Sequence, residues 1–394
     1  MSPVEPALRG VLVTALMVLI GATATFQFVV FPEMRKRGID AGRAERVAVR
    51  LVGWSLVAAL SSATGLALFR AASAPQPVDP LRWTLVTEPG RAWVVQSGAI
   101  LALGGATAIR SRRPERLRLR YWLGSVLGGS LLALLALCWR SHSTAVSDAS
   151  TAILMKFGHM TGAALWVGGL VVVAALPSLL PEEWHRDLSR VAAGLIRRFS
   201  MVAVAGVTLA FATGTVIVAW HVPAVDALHS TTYGIVLSIK IALVLVAAGL
   251  GGLNRVVLHR RILRAADGTD DGGLARRLPG LLVYGRPAGP DPRRAVEWFV
   301  RSVRVELAVL IVVLLVSVFL TAALTPSYEL LSAKSGVPLT FVSRVAEQTL
   351  VQRPAERAVT TGFTALLRFG ALGIAVTGAL ALGYEVGEFT AHER

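Results

Sequence analysis

The chain has 394 residues, 54% of them hydrophobic and only 16% charged, with a mean hydropathy of +0.62. That balance argues against a soluble globular enzyme. A formal net charge of +16 in so apolar a chain points to charge asymmetry between loops and needs no nucleic-acid partner. One cysteine, Cys138, excludes an internal disulfide.

A hydrocarbon core of about 30 Å needs roughly 20 apolar residues of helix. Nine stretches meet that length, at 9–31, 51–70, 92–109, 121–139, 152–176, 199–220, 233–254, 302–325 and 362–384. They are rich in Leu, Val and Ala with scattered Gly, Ser and Thr, which suits helix-on-helix packing. The short alternating segments of a β-barrel are missing from the pattern. The expected fold is therefore all-α, a polytopic transmembrane helix bundle in the cell (inner/plasma) membrane. The first span should stay in the membrane, because its apolar run is long and its basic cluster follows it, unlike a cleavable signal peptide.

Basic residues alternate from loop to loop. Arg35, Lys36, Arg37, Arg43 and Arg46 follow the first span. Arg110, Arg112, Arg113, Arg116, Arg118 and Arg120 follow the third, and Arg186, Arg190, Arg197 and Arg198 the fifth. Ten Arg lie between Arg255 and Arg301, after the seventh, whereas 221–232 contains none. Positive-inside logic predicts the N-terminus outside and the C-terminus in the cytoplasm. The basic rim is placed to meet anionic lipid headgroups. The inner loop 255–298 is rich in Gly, Pro, Arg and Asp and reads as a linker. Within the outer loop 326–361, the segment 337–351 has the mixed pattern of a short interfacial helix.

The chain also repeats itself weakly. Thr64-Gly65 in the second span matches Thr213-Gly214 in the sixth, and Val78-Asp79 matches Val225-Asp226 in the loops that follow. Thr87-Glu-Pro-Gly90 and Thr231-Thr-Tyr-Gly234 then open the next helices, and six residues past each Gly stands a polar residue, Gln96 or Lys240. The expectation is a duplicated four-helix unit in parallel orientation. Its boundaries are 1–140 for the N-terminal unit and 141–325 for the second, with 326–394 adding an outer loop, a ninth helix and a short tail.

Polar residues inside the membrane need a reason, since a charge near the bilayer centre costs roughly 2.5–3.5 kcal/mol on insertion scales. His159, Lys240 and Arg368 lie in the outer part of their spans, and Arg304 and Glu306 in the inner half of the eighth. At these depths Lys240 and Glu306 should not pair; Arg50, Arg304 or Asn254 are the expected partners of Glu306. On a helix, Met155, His159 and Trp166 share a face at spacings of four and seven. Gly158 and Gly162 let another helix approach closely. His159 can then be a metal ligand, a haem ligand, a proton relay or a hydrogen-bonded packing residue.

Cys138 and His142 are four residues apart near the outer end of the fourth span, and His221 and His229 stand in the outer loop 221–232. Four of the seven histidines thus cluster at or near the outer face. Imidazole, thioether and thiolate suit copper, above all Cu(I), and hard oxygen ligands are sparse there. His185, His259 and His392 read as solvated. No hydrolytic motif and no GxxxxGK[ST] appears, so neither an enzyme nor a P-loop pump is expected.

The segment His159-Met-Thr-Gly-Ala-Ala-Leu-Trp166-Val-Gly-Gly-Leu170 resembles the hallmark of the copper-resistance D (CopD-like) integral membrane protein family. Arg198-Phe199-Ser200, Thr213-Gly214, Tyr233-Gly234, Lys240 and the run Arg301–Glu306 follow in the family order, and Ser141-His142-Ser143 is similar to its Gly-His-Ala turn. The likeness is strongest over 140–325, weaker over 1–140, and absent over 326–394. It implies copper uptake across the cytoplasmic membrane, or copper tolerance. It also implies a separate extracytoplasmic copper-binding protein as partner, since no such domain is present in this sequence.

The expected metal ligands are His142 and His159, with Met155, Cys138 and His229 as softer or auxiliary groups. Lys240, Glu306, Trp166 and Arg304 are the intramembrane polar set. Lys240 at the depth of His159 would repel Cu(I), which weighs against simple cation conduction. The alternatives are a membrane redox protein binding haem b between two histidines, with Lys240 or Arg368 on a propionate, and an assembly or sensor protein that binds copper without moving it.

Overall fold

The computed structural model describes residues 3–73, 79–139, 149–179, 188–222, 224–255, 292–322 and 362–393. Among these, nine helices are long and apolar enough to cross a membrane. The expected interfacial helix in 337–351 and most of the 255–298 linker lie outside the described residues.

Helix α1 (Val4–Thr25) runs through a π turn (Phe26–Val30) into α2 (Phe31–Lys36), which carries Pro32 in its first turn. Proline cannot donate to the helical ladder, and a π turn is one way a helix absorbs the irregularity. The second to fourth spans are α3 (Gly42–Ala72), α5 (Glu88–Arg112) and α6 (Leu119–Trp139), with the short α4 (Pro80–Val86) preceding α5. Then come α7 (Ala149–Ala174), the single turn α8 (Leu176–Leu179) and α9 (Leu188–His221). The short α10 (Ala227–Ser230) leads into α11 (Thr232–Leu253), and the last two spans are α12 (Pro292–Ala322) and α13 (Gly362–Glu393). Helix α12 begins inside the stretch read as linker, because Pro292 is favoured in a first helical turn and the apolar pattern starts soon after it.

Helix α1 is apolar on every side and sits at the centre, the arrangement such a helix requires. It packs against α3, α6, α7 and α12, and Leu12, Leu16, Ile20 and Phe26 are fully enclosed. Its crossing with α7 is made by two glycines. A Cβ on Gly168 would lie 2.6 Å from the Met17 carbonyl oxygen and 2.8 Å from the Gly21 Cα. Only bare backbone on both helices permits that approach. Helix α13 lies at the edge against α9. Its Leu366, Phe369, Leu372 and Leu380 are exposed, as side chains facing lipid would be.

Ion pairs mark the two ends of the bundle. At one end Glu33, 3% exposed, binds Arg37 at 2.6 Å and Arg198 of α9 at 3.1 Å, and Glu45 of α3 pairs with Arg110 of α5. At the other end Arg70 of α3 binds Glu5 of α1 at 2.7 Å, and the Trp139 indole donates to Glu88. The first end is the one that carries the Arg-rich connections.

Candidate metal site and the buried carboxylate

Helices α7 and α9 meet through small residues. A Cβ on Gly162 would meet the backbone of Ala210 and Gly206 at 2.5 Å, and Gly158 faces Thr213 and Leu209. This close interface seats His159. Its Nδ1 lies 2.8 Å from the Ala210 carbonyl oxygen. A carbonyl only accepts, so Nδ1 carries the proton and the neutral ring keeps its lone pair on Nε2. Metal-ligating histidines are held in this way, one ring nitrogen donating to an oxygen and the other on the metal. The ring rests against Gly214, where a Cβ would lie 3.0 Å from both Cε1 and Nδ1. The Thr-Gly pair visible in the sequence thus has a physical role: Gly214 makes room for the imidazole.

Met155 is half-buried one turn from His159 on α7. Cys138 is fully buried and turns elsewhere, its Sγ 3.8 Å from Sδ of Met160. Met160 follows His159 directly and so points to a different side of α7, toward α6. The sulfur pair was not foreseen because Met160 is out of phase with Met155 and His159. Arg9 and Lys156 lie within electrostatic reach of Cys138, and Lys240 and Lys156 within reach of His159. Lys240 thus acts on His159 through space, and it has no ion pair among the described residues.

His229 is exposed in α10, with Nδ1 2.5 Å from the Asp226 carbonyl oxygen and Nε2 3.8 Å from the Asp226 carboxylate. His221 closes α9, with Nδ1 2.8 Å from the Ile217 carbonyl oxygen and its ring stacked on Tyr233 at 6.3 Å. His142 lies outside the described residues. Among the described residues no three His, Cys, Asp or Glu side chains converge as a metal cluster.

Farther along α7 stands a second polar centre. The Trp166 indole donates to Oε1 of Glu306 at 2.8 Å, and Asn254 Nδ2 donates to Oε2 at 3.2 Å. Glu306 is 2% exposed, and Gly251 leaves the space it occupies. Three helices, α7, α11 and α12, meet on this carboxylate. Asn254 was among the partners expected for Glu306. Trp166 was in the expected intramembrane polar set, but its pairing with Glu306 was not foreseen, although the indole N–H was the available signal. Arg304 is no partner: it is exposed and reaches toward the Ala174 carbonyl at 3.4 Å.

Fold and site together define a polytopic helical membrane protein with an oriented histidine in a small-residue interface and a buried carboxylate beneath it. Residues 1–150 match the family of copper resistance protein D-like N-terminal domains, and residues 193–320 match copper resistance protein D. The chain belongs to the copper resistance protein D family. It is 29% identical over 226 residues to the copper transport protein CutJ of Bacillus subtilis (strain 168), covering 56% of this chain and 40% of that protein. It is 30% identical over 188 residues to copper resistance protein D of Pseudomonas syringae pv. tomato, covering 45% of this chain and 57% of that protein. The chain thus spans about half the length of the curated relatives it matches. No solved structure matches it.

Proposed function

We propose that the chain binds copper at His159 and carries it inward across the cytoplasmic membrane. The observation that supports this most is the fixed imidazole, with Nδ1 donating to the Ala210 carbonyl at 2.8 Å, so that Nε2 presents its lone pair inside the bundle. Thioether and thiol groups stand on the same and the neighbouring helix, at Met155 and in the Cys138–Met160 pair, and these soft donors favour Cu(I). His142 and His229 act as outer ligands in this reading, receiving copper from a separate extracytoplasmic donor. The names of the two relatives agree with copper as the cargo. The ammonium of Lys240 near His159 makes the site a binding station and not an open cation pore. The cytoplasmic placement of the Arg-rich end follows from the positive-inside rule.

Copper content of purified protein, and copper uptake by reconstituted vesicles, test the proposal. Wild type is expected to retain copper and to load vesicles, and His159→Ala to lose most of both. Unchanged copper retention in His159→Ala would remove the site.

A further inference from the structure

We infer that Glu306 is a proton-binding site whose occupancy alternates with that of copper, so that copper bound at His159 displaces the proton from the carboxyl. The inference rests on the copper-transport reading above. Its basis is the environment of the carboxylate. A charge inside the membrane is expensive unless it is paired, and Glu306 is 2% exposed with only neutral donors on it, Trp166 at 2.8 Å and Asn254 at 3.2 Å. Charged or titratable groups on the packed elements are Lys156 and His159 on α7, Arg197 and Arg198 on α9, Tyr233 and Lys240 on α11 with Arg255 just past its end, and Glu297, Arg301 and Arg304 on α12. On α1, Arg9 lies toward the opposite end. None of these pairs with Glu306 among the described residues: Arg198 is held by Glu33, and Arg304 reaches the Ala174 carbonyl.

The Asn254 amide is built for both protonation states. Its Nδ2 donates to the carboxylate, while its Oδ1 is buried without a partner. When the acid carries its proton, rotation of the amide turns Oδ1 to accept the O–H at the same heavy-atom distance. The buried orphan oxygen, which otherwise costs stability, then has a purpose. Asn254 also closes α11 at the basic end of the bundle, where a proton can leave.

Coupling to copper is electrostatic. Trp166, which binds Glu306, is seven residues from His159 on α7, so the two centres are separated by roughly 10 Å of helix. A unit cation at about that distance, in an effective dielectric of roughly 20, shifts proton occupancy by about tenfold. Arrival of Cu⁺ therefore favours the carboxylate and releases H⁺. Departure of copper restores the acid. One charge replaces one charge, and nothing is oxidised or reduced.

The test titrates Cu(I) into purified full-length protein in weak buffer with a pH dye, counting protons released per copper bound, and records the infrared band of the protonated carboxyl. Wild type is expected to show the band, to lose it as copper binds, and to release about one proton per copper more than E306Q does. E306Q should fold, since Gln keeps the Trp166 acceptor and its amide N–H₂ meets Asn254 Oδ1. Equal proton release by wild type and E306Q, or a wild-type band absent or insensitive to copper, would overturn the inference. Failure of wild type to bind copper would instead overturn the copper reading, while the infrared comparison without copper still decides whether Glu306 carries a proton.

Discussion

At the scale of single residues, the candidate site depends on what is absent as much as on what is present. Gly214 gives His159 its wall: the missing side chain lets the ring lie flat enough for Nδ1 to reach the Ala210 carbonyl. Gly214→Val should push the imidazole off that carbonyl. The local overpacking costs typically about 1–3 kcal/mol, spread over a ring that can move. The expected result is copper affinity reduced at least tenfold, which is about 1.4 kcal/mol, in a protein that still folds and melts near wild type. Titration of purified Gly214→Val against wild type checks this, and equal affinity would show that the ring orientation is irrelevant to the metal. The histidine itself was visible in the sequence, because a lone imidazole among Gly, Ala, Leu and Trp is conspicuous. Its partner was not. A backbone carbonyl leaves no trace in a side-chain pattern, and neither does the choice of ring nitrogen.

At the scale of helices, the glycine crossing of α1 and α7 and the Glu33 clamp hold α7 and α9 against the first span. A side chain at Gly168 has nowhere to go but the α1 backbone, so Gly168→Leu is expected to lower the melting temperature in detergent and to reduce the yield of folded protein, whereas the same change at the open Gly53 should do neither. Glu33 binds two guanidinium groups, and breaking a buried pair costs roughly 3–5 kcal/mol. Glu33→Ala should therefore destabilise strongly, and an unaltered melting curve would show that the clamp is ornamental. The repeated motifs correspond to matching local structures. Thr87 caps α5 by accepting from the Gly90 N–H at 3.0 Å, and Thr231 caps α11 by accepting from the Gly234 N–H at 3.0 Å. Gly65 makes room for Leu8 of α1 as Gly214 does for His159 of α7. We propose on this basis that 1–140 and 141–325 are duplicated units in which only the second has kept an imidazole at the cleft. Superposition of α3 and α5 on α9 and α11 tests it, with Gln96 and Lys240 expected at equivalent places. Caps and spans were legible because each depends on a few neighbouring residues. The Trp166–Glu306–Asn254 centre was only half legible, because it joins residues 140 and 52 positions apart, and no local pattern encodes which helices will meet.

At the scale of the whole molecule, the Arg-rich connections and the ion pairs describe the same polarity by independent means. Glu33, at the end of the first span, binds Arg198, near the start of the sixth, and Glu45, at the start of the second, binds Arg110, at the end of the third. These four helix ends must share one side of the membrane. Glu5 with Arg70, and Glu88 with Trp139, tie ends on the other side. Packing therefore yields two faces but gives no sign to them, since a bundle packs identically whichever face meets the cytoplasm. The sign comes from the asymmetry of basic residues acting during insertion. With ten Arg between Arg255 and Arg301 and none in 221–232, the Arg-rich face is predicted to be cytoplasmic, with the His159 end of α7 outside and Glu306 toward the cytoplasm. Copper entering at His159 then approaches from outside, and a proton released from Glu306 leaves to the inside. The check is cysteine labelling in a Cys138→Ser background. A single cysteine at position 226 should react with a membrane-impermeant maleimide on intact cells, and one at position 270 only after permeabilisation. Labelling of position 270 on intact cells would invert the topology and, with it, the inward direction proposed for copper.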